Sequence, residues 1–286
     1  MSEKAIPTTA STADASTTPE QPAPRQPAPG KPASAQLDPA RATLWASFSS
    51  LMRWQLSGIG TALPLIVVIQ AMLAAGIVVG FGFIIPDITD ETALFLSTGA
   101  PAMLLLTIGL VVVPQAVSRM RTDGTFEFMR SLPVPRPLML LVDLTVWTAI
   151  ALPGLAIGVL VAQLRYDLDL SINWPLLIVS ALLVTVMATA VGYAIAVSIK
   201  PMIAQLLSQV LVFFVMLFSP ITFPASQLPE WFQSVHQFLP VQAGADMLRA
   251  GLASDTYTAT GRDALVLALW CAVAVVITLR ALMRRK

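Results

Sequence analysis

Residues 217–252 read LFSPITFPASQLPEWFQSVHQFLPVQAGADMLRAGL. An apolar helix runs into this stretch and stops at Ser219-Pro220, with Pro224 and Pro229 close behind. Proline lacks a backbone donor and clashes with the preceding turn, so no continuous helix passes through. Beyond the break Leu228, Trp231, Phe232, Val235, Phe238 and Leu239 recur at helical spacing, and Glu230, Gln233, Ser234 and Gln237 fill the other side. Ser226 can cap this helix, Pro229 fits its first turn and Pro240 ends it. Residues 241–252 read as a second short helix in which Asp246 and Arg249 can pair. A break, a half-buried helix and a return toward the membrane describe a re-entrant plug at the outer rim of a transport path. A helix resting at the lipid headgroups accounts for Trp231 and Phe238 equally well.

Working outward, the chain of 286 residues is 56% hydrophobic and only 12% charged, which excludes a soluble domain and places it among all-α polytopic membrane proteins. Six segments reach the roughly 20 apolar residues that a crossing needs. They lie at 61–85, 93–117, 138–164, 174–199, 201–221 and 264–282. The fourth and fifth form one apolar run broken only by Lys200-Pro201, too long for a single crossing, so a tight hairpin is expected there.

Before the first span, residues 41–57 place Leu44, Trp45, Phe48, Leu51, Met52 and Leu56 on one helical stripe, with Arg41, Arg53 and Gln55 off it. This is the pattern of an amphipathic helix on the membrane surface. Residues 1–40 are Ala, Pro, Ser and Thr with almost no large apolar side chains, and should form a solvated, disordered tail without a cleavable signal.

Basic residues set the orientation. Arg41, Arg53, Arg119, Arg121, Arg130, Arg136, Lys200, Arg284, Arg285 and Lys286 fall on one side of this topology. The opposite loops hold only Arg165, Arg249 and Arg262, among several carboxylates. By the positive-inside rule both termini are cytoplasmic and the 217–252 stretch is extracellular.

Chemistry-bearing groups are few. Asp143, about two turns into the third span, is the one acidic group well inside a span. An intramembrane carboxylate is a functional candidate, for substrate or proton handling, but near a span end it can also pair with Arg136 or Arg130. The loop 118–137, SRMRTDGTFEFMRSLPVPRP, has a turn signal at Asp123-Gly124, a cap in Thr125 and stops at Pro133 and Pro135. Its Phe126, Met129 and Leu132 follow helical spacing, which suits insertion into a partner's groove or folding against the bilayer. The single His236 reads as a headgroup-level polar residue, and Cys271 has no intrachain partner. No phosphate-binding GxxxxGK[ST] occurs, so the chain hydrolyses no nucleotide, and no enzyme activity, cofactor, metal or nucleic-acid partner is expected.

Two stretches together resemble the ABC-2 class of ABC-transporter permeases. RTDGTFEFMRSLPVPR at 121–136 is similar to that class's segment after the second span, and LFSPITFPASQLPEWF…FLPVQAGADMLR to its signature between the fifth and sixth. The likeness covers residues 41–286 and is nearest to the daunorubicin-resistance-like efflux branch. Met120 departs from it, standing where relatives often carry Glu. The resemblance implies a non-catalytic permease of an ATP-driven exporter in a bacterial plasma membrane, among membrane lipids and beside a second permease copy or a related permease. Separate ATPase subunits would hold ATP and Mg. It assigns Arg121, Gly124, Thr125, Phe126, Glu127, Met129 and Pro133 to the ATPase-coupling helix. Pro224, Leu228, Pro229, Trp231, Phe232, Pro240 and Arg249 fall to the extracellular gate. The cargo would be a hydrophobic or amphipathic drug, antibiotic or lipid-like molecule. A self-sufficient transporter or channel, proton-coupled through Asp143, is the alternative.

Overall fold

A computed structural model describes residues 44–60, 62–84, 89–221 and 228–283. The expected tail at 1–40, together with Arg41, Pro224, Ser226, Arg284, Arg285 and Lys286, lies outside them.

The apolar runs become helices because backbone polar groups in lipid must be satisfied within the segment. The six spans are α2 (Leu63–Ile84); α3 (Asp90–Thr107), running through a π turn (Ile108–Val112) into α4 (Val113–Thr122); α6 (Arg136–Tyr166); α7 (Trp174–Ser198); α8 (Pro201–Phe218); and α11 (Gly261–Met283). Shorter helices precede and link them: α1 (Leu44–Gly60), α5 (Thr125–Ser131), α9 (Glu230–His236) and α10 (Pro240–Leu252). No strand occurs among the described residues. The hairpin at Lys200-Pro201 forms as its residues dictate: α7 ends at Ser198, Lys200 is the N-cap of α8, and Pro201 takes the first helical position, where its missing donor costs nothing.

The second span lies at the centre, packed on α6, α7, α8 and α10. Its π turn meets α7 backbone to backbone. A Cβ on Gly192 would stand 1.9 Å from the Gly109 carbonyl oxygen, and one on Gly109 would stand 2.4 Å from the Ala188 Cβ. Only glycine on both sides allows that approach, which is how helices gain contact when lipid supplies no hydrophobic drive. By contrast, α2 and α8 turn Leu65, Val68 and Met72, and Met202, Leu206 and Val210, outward.

Polar contacts gather the connections into two ends. Arg121 at the close of α4 donates to the carbonyls of Ala196 and, at 2.5 Å, Ile199. Arg136 donates to the Leu282 carbonyl at 2.6 Å, and Arg130 to the same oxygen at 3.5 Å. These contacts bring the α4–α6 link, the α7–α8 hairpin and the end of α11 to one end, here the basic end. At the other end Ser254 donates through its backbone and side chain to the Ser171 carbonyl, at 3.0 and 2.8 Å, and Asn173 donates to the Gly251 carbonyl at 2.9 Å.

Against α6 lies α1, without a fully buried residue. Its expected stripe divides: Phe48, Leu51 and Met52 pack toward the core, while Leu44, Trp45 and Leu56 stay exposed. Gln55, expected on the polar face, turns inward instead.

Candidate functional site

Helix α5 hangs between two spans by a turn that only glycine makes without strain. Gly124 has φ 79° and is the N-cap residue, so Thr125, expected as the cap, occupies the first helical position. The apolar stripe predicted to enter a partner points the other way. Phe126 and Met129 are buried in the core of the spans and Leu132 is half-buried. What α5 presents is Phe128, 59% exposed, and the carboxylate of Glu127, which pairs with Arg130 at 3.2 Å. Arg121 does not join this pair; it closes the last carbonyls of α7. Pro133 lies in the bend between α5 and α6. The helix thus has a fixed base and a free apolar tip.

Asp143 is only 4% exposed. The expected pairing with Arg136 or Arg130 does not form, because those guanidinium groups are spent on the Leu282 carbonyl and, for Arg130, on Glu127. Its carboxyl accepts instead from the Gln55 amide of α1, with the Tyr193 hydroxyl of α7 beside it. Buried polar groups demand partners of this kind, and this neutral donor ties α1 to α6. The space beside it, bounded by Leu51, Gln55, Met129, Met139 and Val142, is about 10 Å³. That admits no substrate.

At the opposite end the break after α8 is held by Arg249 of α10. This guanidinium is 2% exposed. It donates to the carbonyls of Ile221 at 2.5 Å and Pro220 at 3.4 Å, pairs with Asp246 at 2.9 Å as the sequence allowed, and lies 3.8 Å over the Phe95 ring. Burial lowers its pKa and raises that of Asp246, while each partner's charge opposes the shift. Arginine serves here because one planar fork reaches two carbonyls, a carboxylate and a ring at once. Nearly every residue of α10 is buried.

Preceding α10, α9 is amphipathic in an unexpected sense. Pro229 is its N-cap residue, and Trp231 (69% exposed), Val235 and Phe238 face outward. Its inner side is Phe232 and His236. The imidazole, expected among headgroups, is 1% exposed: it stacks parallel to Phe214 at 6.5 Å and meets Phe232 edge-on at 4.6 Å. Neither ring nitrogen has a hydrogen-bond partner among the described residues, and burial lowers the pKa. Leu228 and Pro240 bracket α9, and Trp270 of α11 donates to the Phe238 carbonyl at 2.9 Å.

Residues 86–280 match the profile of the ABC-2 family transporter proteins. The chain belongs to that family. No curated protein matches it. As an ABC-2 family protein it is a multi-pass component of membrane transport, of a kind that generally works with an ATPase subunit. The match takes in α5, Asp143 and the α9–α10 pair, and leaves α1 and α2 outside it. Among the described residues of this ABC-2 protein no three His, Cys, Asp or Glu side chains come together as metal ligands.

Three features escaped the sequence reading. Phe128 was hidden because it falls off the α5 apolar stripe, and Gln55 because a lone amide on a surface helix has no distinguishing pattern. The Phe95–Arg249 contact joins residues far apart in the chain.

Proposed function

We propose that this chain is the membrane-spanning subunit of an ATP-driven exporter, and that a separate ATPase docks on α5 at the cytoplasmic face. The observation that carries the reading is the construction of α5. Phe126 and Met129 root it in the spans while Phe128 stands free at its tip, so a push on the tip is delivered to the bundle rather than absorbed by a loop. The basic end is the cytoplasmic one by the positive-inside rule. On this reading ATP and Mg belong to the partner. A bacterial plasma membrane, a second permease copy and a hydrophobic or amphipathic cargo complete the reading. The spans offer such a cargo apolar surface and few fixed polar groups. On this view α9 and α10 are the outer gate, and Arg249 keeps it attached. The daunorubicin-resistance-like efflux branch is the part of the family this reading favours.

The test is a mild-detergent purification of the tagged chain from its own membranes, with mass spectrometry and an ATPase assay. A stoichiometric ATPase that is lost from Phe128→Asp supports the reading. A stable chain that recurrently purifies without an ATPase, under conditions that preserve other complexes, overturns it in favour of a self-sufficient transporter.

A further inference from the structure

At the basic end a cleft of about 570 Å³ opens between α5, the close of α7 and the last turns of α11. Its charged lining is Arg121, Arg130, Arg280 and Glu127. Glu127 is matched by Arg130 at 3.2 Å, which leaves two guanidinium charges in excess. Arg121 is held in place by the carbonyls of Ala196 and Ile199. Arg280 is exposed and has no hydrogen bond or ion pair among the described residues. Ser198 and Ile277 line this cleft and also a groove of about 430 Å³ that continues between α7, α8 and α11. The surface of the groove is wholly apolar, with Leu207, Leu211 and Trp270 along it. From Ile277 to Trp270 it follows α11 for about 10 Å at 1.5 Å per residue. Cleft and groove form one trough, cationic at the ends of the spans and apolar alongside them.

We propose that this trough binds an anionic phospholipid, with the phosphate in the cleft against Arg280 and Arg121 and one acyl chain along Leu207, Leu211 and Trp270. Two properties select a lipid. The charge excess sits at the end that the positive-inside rule places against the anionic leaflet, where basic pockets between spans hold lipid headgroups. The groove opens sideways between spans, at a depth that membrane lipid reaches and a soluble protein does not. Selectivity comes from the headgroup, because bulk acyl chains are as apolar as the groove and compete with it. Each unmatched arginine is therefore expected to contribute about fivefold in preference. Since α5 forms one wall, an occupied trough braces that helix.

The purified full chain, in neutral detergent, is titrated with phosphatidylglycerol or phosphatidylcholine of the same chains, and retained lipid is read by native mass spectrometry. Phosphatidylglycerol should be retained at least about fivefold better. Arg280→Gln should remove about fivefold of that preference and Arg280→Lys should restore most of it. Leu207→Trp, at an exposed position that folding tolerates, should fill the groove and lower retention of phosphatidylglycerol. Equal retention of the two lipids, or unchanged retention in both Arg280→Gln and Leu207→Trp, overturns the proposal. Full displacement of the lipid by equimolar inorganic phosphate also overturns it, by showing a bare anion site. No ATPase is needed for any arm, so the result is independent of whether one docks on α5.

Discussion

Arg249 on α10 donates to the backbone carbonyl of Ile221, just past the end of α8, at 2.5 Å. The fifth span ends where prolines stop it, leaving carbonyls that no helix satisfies. One buried guanidinium takes up two of them and links the span to α10, which packs on α3, α7 and α11. The α9–α10 pair is fastened to the bundle at this point.

Arg249→Met should therefore destabilise the protein by about 3 kcal/mol, the low end for breaking a buried pair because Asp246 keeps partial contact with solvent. Arg249→Lys should recover less than half of the loss, since an ammonium cannot serve two carbonyls and stack on Phe95. Thermal unfolding in detergent decides it. A Lys variant as stable as the parent would show that charge alone is enough.

On α5 the two phenylalanines should separate. Phe126→Ala empties a core position and should cost about 3–5 kcal/mol of stability. Phe128→Ala should change stability by less than about 0.5 kcal/mol and yet reduce ATPase co-purification. If Phe126→Ala weakened the partnership while leaving unfolding untouched, the inward assignment of its side chain would fail.

For Asp143, asparagine keeps an acceptor for Gln55, whereas leucine leaves the Gln55 amide unmatched. Asp143→Leu should lose about 1–3 kcal/mol for that orphaned group, and Asp143→Asn far less. Transport in reconstituted vesicles should survive Asp143→Asn with the parent's pH dependence. Abolished transport in a well-folded Asn variant would mean that the carboxyl handles protons.

His236 predicts a pH response. Its pKa is lowered in the docked state, so α9 released from Phe214 binds a proton that docked α9 does not. Docking of α9 is then fully stable above about pH 6.5, the ordinary histidine value, and weakens as pH falls below it. Hydrogen exchange of residues 230–238 should rise between pH 7.5 and 5.5, after correction for intrinsic rates, and His236→Phe should abolish the rise. The same acid response in that variant would place the titrating group elsewhere.

The number of spans and their limits were legible because length and apolarity are written locally, and the Lys200-Pro201 hairpin because its breakers are. The inward and outward faces were not. In a membrane bundle both faces of a span are apolar, so the stripe that marks a core in water marks nothing here. Gln55, Phe126 and His236 lie on the short helices α1, α5 and α9, where neighbours brought in by the fold, not the local pattern, decide which side is buried. Arg249 was legible only as far as Asp246, three residues away; Phe95 and Ile221 come to it through the fold. The π turn carries no residue signature at all.

That π turn has a consequence for the phase of the second span. Each residue of an α-helix advances about 100° around its axis, and a π turn spends one residue more per turn than an α turn. Everything after Val112 is therefore out of step with everything before Ile108 by about one residue. The α3 half can keep its leucines on α6 while the α4 half aims Arg121 at the carbonyls of α7. Winding residues 108–112 as ordinary α-helix with every residue kept would swing Arg121 about 100° from Ala196, whereas deleting one residue there would remove the π turn and leave Arg121 in place. One surplus residue thus gears two faces of a single helix to two different neighbours.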